Sequence, residues 1–529
     1  MYLLSLETGG NQAYIFETKR LRNIKGASEL LYRVGTSYVE RALKAVSGRD
    51  FKTENILDEE KLDSPDFEVI IATSGKALLL AKDRDEAKKF IREWSSIVAE
   101  EAPGLDAVAV CSKNSFEPLN SLDEYVKIYR ETEREMTLLK MREGSYLARF
   151  QRIPVVAECI FSGFPASRIE NGRPISEKSH SQRAASTDSA IRRRMKELFP
   201  GNASEKILNG FEVFENSEWL AVIHADGNGL GQLFKNFGDH VKKLVKDKPK
   251  GRDYINYYRR FSSALDEISR RAFSQTVNEI WGWNDKPPII PIVVGGDDLT
   301  VIMGGYDSLK FAERFMIHFC NGTQNNPDTE IILNCINIKR LGMCAGISIA
   351  KPHFPFSQSY SLAEELMRSA KLVKNQYGKD SIAVDFHILY DSVASPLSEI
   401  REKLNIDGRI LTQKPYVISQ GQTRIETADN EWQISHDYGK FKKTVEVLKN
   451  LPSTQAHVVR DDLFSQHMET QEAEWQFILN SYPKFGRKWE EANNNSHLYI
   501  KTEDEKYSTV FLDALEMKKF LDDKENKTS

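Results

Sequence analysis

The feature that most constrains this chain is the run Ile289–Met303, IIPIVVGGDDLTVIM, in which two apolar stretches are joined by Gly295-Gly296-Asp297-Asp298. Such a pattern reads as a hairpin whose strands are both buried. Glycine permits the positive φ of a tight turn and lets a ligand approach the backbone. Adjacent carboxylates repel unless a cation neutralises them, and oxygen donors suit Mg²⁺ or Mn²⁺. Gly-Asp turns are also ordinary hairpin chemistry, so the surrounding elements must decide. Asp226 closes the apolar strand Trp219–Ala225. In a β-α-β-β-α-β unit the first strand neighbours the central hairpin. Asp226 and Asp297 then meet and can share a metal, with the Gly227 carbonyl as a further ligand and Asp298 beside them. Gly227, Asn228, Gly229, Gly295 and Gly296 form the backbone that a nucleotide would approach. Lys371 and Lys374, on the next helix, are candidates for its triphosphate.

The element order supports that placement. After Trp219–Ala225 come a helical region including Tyr254–Ile280, the hairpin, a helix capped by Asp307 and the strand Met343–Ala350. A helix opened by the capping box Ser361-Leu362-Ala363-Glu364 and the strand Ile382–Leu389 follow. The same order occurs earlier. Tyr2–Leu6 is a strand, and a helical pattern runs from Gln12 to Lys44, broken near Gly26. Phe67–Ala72 and Ala77–Ala81 flank Thr73-Ser74-Gly75-Lys76, Asp83 caps a helix, and Leu105–Cys111 is a strand. The expected class is α+β, with two tandem ferredoxin-like palm domains and helical inter-palm and C-terminal regions. The boundaries fall at 1–115, 116–210, 211–390 and 391–529, and 529 residues suffice for these units. The stretch 154–186 reads as loop-rich and 522–529 as frayed.

Charge and cysteines narrow the function. A net charge of −4 argues against a bulk nucleic-acid binder. The runs Lys19, Arg20, Arg22, Lys25 and Arg192–Arg194 read as solvated helix faces, with RNA or phosphate binding as the alternative. The five cysteines include no Cys-x-x-Cys pair, which argues against a disulfide scaffold or zinc ribbon and for a reducing, cytoplasmic setting. No apolar run reaches the roughly 18 residues of a membrane span, and the N-terminus lacks the features of a signal peptide.

The segments VVGGDDLTVIM, AVIHADGNGLGQLF, MCAGISIAKPHFPF and SLAEELMRSAK resemble the second palm of the large cyclase subunit of type III CRISPR effector complexes. LSLETGGNQAYIFETKRLRNIKGASELL and VIIATSGKALLLAK resemble its first palm, so the likeness covers residues 1–390. The resemblance implies conversion of ATP to cyclic oligoadenylate second messengers in antiviral defence. It makes Asp226 and Asp297 metal ligands and Asp298 a supporting carboxylate. The first palm would hold an acceptor ATP without a metal of its own, in keeping with Ser74-Gly75-Lys76 at its tip and Glu7 at its first strand end. Implied partners are nucleoside triphosphates, other CRISPR effector subunits and guide or target RNA, with no membrane; self-association into a homodimer stays open. Three departures stand out. Asn228 replaces an expected acid, leaving a second metal without that carboxylate. Cys159 is followed by Ser162 where the family's zinc site has a second cysteine, so no zinc is expected. The sequence opens on the palm pattern, so no built-in HD nuclease is expected, and His436-Asp437 reads as a surface pair. The alternatives are a nucleotide-binding scaffold or sensor subunit of an RNA-guided complex, or a cyclase of another nucleotide, GTP included.

Overall fold

A computed structural model describes residues 1–18, 20–62, 65–142, 155–199, 214, 217–282, 287–390, 395–419, 436–465, 467–501 and 506–528. The fold is mixed α/β. In the first half, β1 (Tyr2–Gly9), β2 (Phe67–Thr73), β3 (Lys76–Ala81) and β4 (Asp106–Cys111) form an antiparallel sheet in the order β2-β3-β1-β4. The short strands β5 (Arg168–Glu170) and β6 (Arg173–Ile175) pair with each other. The second sheet uses β7 (Leu220–Gly227), β8 (Ile289–Gly295), β9 (Asp298–Gly304), β10 (Met343–Ala350) and β11 (Ile382–Ile388). Its order, β11-β10-β7-β9-β8, repeats the first with β11 added parallel to β10. Each central hairpin carries a register shift in its first strand, at Val69/Ile71 and at Pro291/Val293. Pro291 lacks an N–H and is tolerated because β8 is an edge strand.

The structure moves several expected boundaries. The early helical region breaks after Phe16 and at Thr36, giving helices Asn11–Phe16, Leu21–Gly35 and Ser37–Ser47. Gly26 is not a break. It lies inside Leu21–Gly35, where a Cβ would stand 1.5 Å from the Gln182 carbonyl oxygen. Helix Glu177–Ala185 therefore packs directly on that backbone, and part of the expected loop is helical. Lys25 is only 5% exposed, and burial, then the charge of Arg22, pushes it down to about 8. It is no solvated lysine; Lys19 lies outside the described residues. Ser361 does not open a helix, because Phe356–Lys371 already contains it and its Oγ bonds back to the Ser357 carbonyl. The C-terminal helix continues from Phe511 to Thr528 rather than fraying at Asp522.

His436 is buried, its Nδ1 against the Pro415 carbonyl, and Asp437 caps helix Tyr438–Leu448 through the Lys440 N–H; they are not a surface pair. The C-terminal region is helical but includes a small sheet of β12 (Asn405–Ile406), β13 (Arg409–Ile410), β15 (Ile500–Lys501) and β16 (Tyr507–Ser508). The intervening β14 (Tyr416–Val417) joins the edge of the second large sheet against β11. One continuous apolar core runs through both halves and the C-terminal helices. No helix among the described residues is long and apolar enough to cross a membrane.

Helix Gly251–Trp281 ties the halves together. Its Arg259, wholly buried, donates to Glu68 Oε1 at 2.5 Å and to the Val69 carbonyl at 3.1 Å in β2. Arg252 reaches the same Glu68 oxygen at 2.6 Å.

Candidate active site

β7 and β9 pair so that Asp226 faces Asp298 across the ladder, and the turn sets Asp297 beside them. Carboxylate oxygens of the three lie within 4.8 Å of one another. This close approach depends on Gly227, since a Cβ there would stand 2.8 Å from Asp297 Cβ. Gly296 turns the chain at φ 59°, a left-handed conformation that costs glycine little. Burial first and Asp298 second push the Asp297 carboxyl up to about 7. Asp298 is raised as well, by burial, against the opposing pull of His224. Lys371 places its ammonium on Asp226. Burial, then Lys374, pushes Lys371 down to about 8. Three crowded oxygen acids, two of them resisting ionisation, fit the donor set of a hard divalent cation.

Not every residue singled out in the sequence joins this cluster. Asn228 is 1% exposed and turns inward, donating from Nδ2 to the Ser381 carbonyl at 2.8 Å and accepting from Cys344 Sγ at 3.4 Å. Its amide is satisfied in the interior, away from the carboxylates. Gly229, at φ 76°, begins the short helix Leu230–Lys235 and lies against the Lys379 methylenes. Lys374 starts the short helix Lys374–Tyr377 and does not line the cleft above the carboxylates.

That cleft has a volume of about 1110 Å³ and is walled by both halves. Ligand pockets usually span roughly 300–1,000 Å³, so the cleft is large enough to hold a small-molecule ligand. Asp226, Asp297 and Asp298 line one wall, and Thr73, Ser74 and Lys76 line the other. The two tips occupy corresponding places, for Glu7 faces Lys76 in the β1–β3 ladder as Asp226 faces Asp298 in β7–β9. The charge is inverted at the partner position. Lys76 Nζ lies 2.6 Å from Glu7 Oε1, and Lys140 holds the other oxygen. Burial would raise the Glu7 carboxyl, but the two lysines outweigh it and hold it below its ordinary value. The first half thus carries its cation as a side chain.

The sequence reading missed three supports of the acidic tip. Asp266 packs on the tip backbone, its Oδ1 standing 2.6 Å from where a Gly295 Cβ would be. Ser269 donates from Oγ to the Gly296 carbonyl. Arg270 holds Asp266 at 3.3 Å and Glu197 at 3.6 Å. On an amphipathic helix these look like ordinary polar positions, and only the three-residue spacing of Asp266 and Ser269 places them one turn apart.

Away from the cleft, Cys159 Sγ donates to Ser179 Oγ at 3.5 Å, and the Ser162 and Ser176 hydroxyls lie 3.2 Å apart. Burial opposes ionisation of Cys159, but the serine hydroxyls outweigh it and bring the thiol down to about 6. The four fall at x-x spacings, Cys159/Ser162 and Ser176/Ser179, the second pair being one the sequence reading left out.

Residues 219–383 match the model of the Cas10/Cmr2 family, second palm domain, and the second half is Cas10-like in that sense. No curated protein matches the chain. Among solved structures, a Csm1-Csm4 cassette in complex with AMPPNP is 15% identical, with 72% of this chain and 54% of that chain covered and a TM-score of 0.41. A Csm1-Csm4 cassette in complex with cA4 is 13% identical over 85% of this chain and 62% of that one, at a TM-score of 0.40. Csm1 from T. onnurineus is 13% identical over 91% and 64%, at 0.43. The chain spans about half the length (54%) of the first of these.

Proposed function

We propose that this chain is a metal-dependent nucleotidyl cyclase of a type III CRISPR effector, converting ATP to a cyclic oligoadenylate. The observation that carries the reading is the shared cleft, with a three-carboxylate tip on one wall and a lysine-neutralised tip at the corresponding place on the other. In this reading two tandem ferredoxin-like palms occupy 1–115 and 211–390, with 116–210 between them and 391–529 following. Asp226 and Asp297, with the Gly227 carbonyl, hold Mg²⁺ or Mn²⁺, and Asp298 supports them. Bound there, the ion would supply charge neutralisation for a triphosphate and would make a 3′-hydroxyl more acidic. The protein's own task is placement. The glycine turns let the donor nucleotide approach the backbone, and Lys371 exchanges Asp226 for phosphate oxygens. Lys76 and Lys140 offer positive charge to the acceptor. The 3′-oxygen forms its bond to the α-phosphorus as the α–β bridging bond breaks, pyrophosphate leaves, and the hydroxyl proton passes to solvent.

Partners under this reading are nucleoside triphosphates, other effector subunits and guide or target RNA. The buried amide of Asn228, bonded to the Ser381 carbonyl and facing Cys344, has a packing role of its own, which weakens the main reason to read the site as a decayed sensor. The test is incubation with each α-³²P-labelled nucleotide and Mn²⁺ or Mg²⁺, beside Asp297→Ala/Asp298→Ala. A phosphatase-resistant product from ATP, absent in the double variant, is expected. Product that persists in the double variant sinks the assignment. Nucleotide binding without turnover in the wild type supports the sensor subunit instead.

A further inference from the structure

Resting on the proposed cyclase reading, we infer that Asp266 and Ser269 are positioning residues that hold the metal-binding tip at a fixed place relative to the opposite wall of the cleft. Both act on backbone rather than on substrate. Asp266 fills the space beside Gly295, while Ser269 donates to the Gly296 carbonyl. The packed carboxylate and the hydroxyl hydrogen bond therefore hold two successive residues, Gly295 and Gly296, immediately before Asp297. A tip built on glycines has little stiffness of its own, and the charges of Asp297 and Asp298 push it open. An external clamp supplies the stiffness.

The clamp is also indexed to the first half. Arg259, seven residues before Asp266, is anchored to Glu68 and Val69 in β2. Seven residues are two helical turns, about 10 Å of rise, so both anchors leave the same face of one rigid helix. β2 ends at Thr73, the start of the first tip. One helix thus carries both a grip on the strand leading to the neutralised tip and a grip on the acidic tip. Arg270 extends the anchorage to Glu197 in helix Ser189–Leu198 and keeps the Asp266 carboxylate oriented. In-line attack between nucleotides on opposite walls requires that the walls keep their spacing, and a misplacement of about 1 Å can cost ~100-fold in rate.

The test compares Asp266→Ala, Asp266→Asn, Ser269→Ala, Gly295→Ala and Gly295→Ala/Asp266→Ala in the cyclase assay, with Mn²⁺ titrations and thermal melts alongside. Asp266→Ala is expected to lower kcat roughly 10- to 100-fold and to raise the Mn²⁺ concentration for half-maximal rate, with nucleotide KM within about twofold. Asp266→Asn keeps the side-chain shape that packs beside Gly295 and is expected to retain most of the rate. Gly295→Ala alone should be as impaired as Asp266→Ala, because its methyl displaces the carboxylate. In the double variant the loss should not add, since both changes break one clamp. Full rate and an unchanged Mn²⁺ profile in folded Asp266→Ala would overturn the inference, as would additive losses in the pair. Absence of any metal-dependent product from the wild type, or product surviving Asp297→Ala/Asp298→Ala, would instead overturn the cyclase reading.

Discussion

At the scale of single residues the acidic tip stores an electrostatic cost that a cation relieves. The Asp297 carboxyl is pushed up to about 7, by burial and then by Asp298, from an unfolded value near 3.9. A raised acid contributes stability while protonated, and that contribution is lost as the pH rises through the folded value. The metal-free protein should therefore lose stability between about pH 4 and pH 7. In melts without metal, Asp297→Asn should match the wild type near pH 4 and melt several degrees higher at pH 8. Added Mn²⁺ should raise the melting temperature of the wild type at pH 8 and leave Asp297→Asn nearly unmoved; equal responses would show that Asp297 holds no ion. Asp226, Asp297 and Asp298 were legible in the sequence because strand pattern and turn chemistry are local. Asn228 was not, because whether its amide faces the cleft or Ser381 depends on a strand 150 residues on. Nor was Lys25, whose burial is a matter of tertiary packing that no local pattern writes.

At the scale of elements, close backbone contact and short polar networks replace what bulk would do elsewhere. Gly26 lies mid-helix, a position that propensity alone marks as a break, yet it is where helix Glu177–Ala185 seats. Gly26→Ala should separate the two helices and cost roughly 1–3 kcal/mol, measurable by chemical denaturation; an unchanged midpoint would mean the contact is slack. The quartet Cys159, Ser162, Ser176 and Ser179 joins a loop to the start of the same helix through hydroxyls. Its paired x-x spacing is that of four-cysteine metal sites. The variant Ser162→Cys/Ser176→Cys/Ser179→Cys should bind one Zn²⁺ tightly by metal analysis, and failure to do so would show that the four side chains do not converge tetrahedrally. The hairpins and their following helices were legible because hydrophobic period and caps are written locally. The start of helix Phe356–Lys371 was misplaced because Ser361 and Glu364 mimic a cap within an uninterrupted helix.

At the scale of the whole molecule the halves are bound by a buried ion pair as well as by apolar packing. Breaking a buried pair leaves its partner charge uncompensated, at about 3–5 kcal/mol. Arg259→Met should approach that loss, softened because Arg252 also reaches Glu68, and Arg259→Met/Glu68→Gln should recover part of it. Both variants should unfold in a single transition, since one core serves both halves; two separated transitions in the wild type would contradict this. The long-range pairing of Arg259 with Glu68, 191 residues apart, has no local signature in the sequence. The same holds for the strand that the C-terminal region adds beside β11.

The charge inversion between the two tips has a consequence for direction. A tethered ammonium cannot be withdrawn, whereas a metal can, so chelation rewrites the potential of one wall and leaves the other as it was. With a metal bound the two walls would not be interchangeable, and under the proposed reading donor and acceptor would keep their places. For the proposed reaction every new linkage must then be made at the same wall. The growing chain has to be handed across after each step, and ring closure requires the oligomer to swing its own 5′ end back to the metal-bearing side. On that proposed reading the cleft would work as a ratchet with one driven face, its linear intermediates carried across between steps.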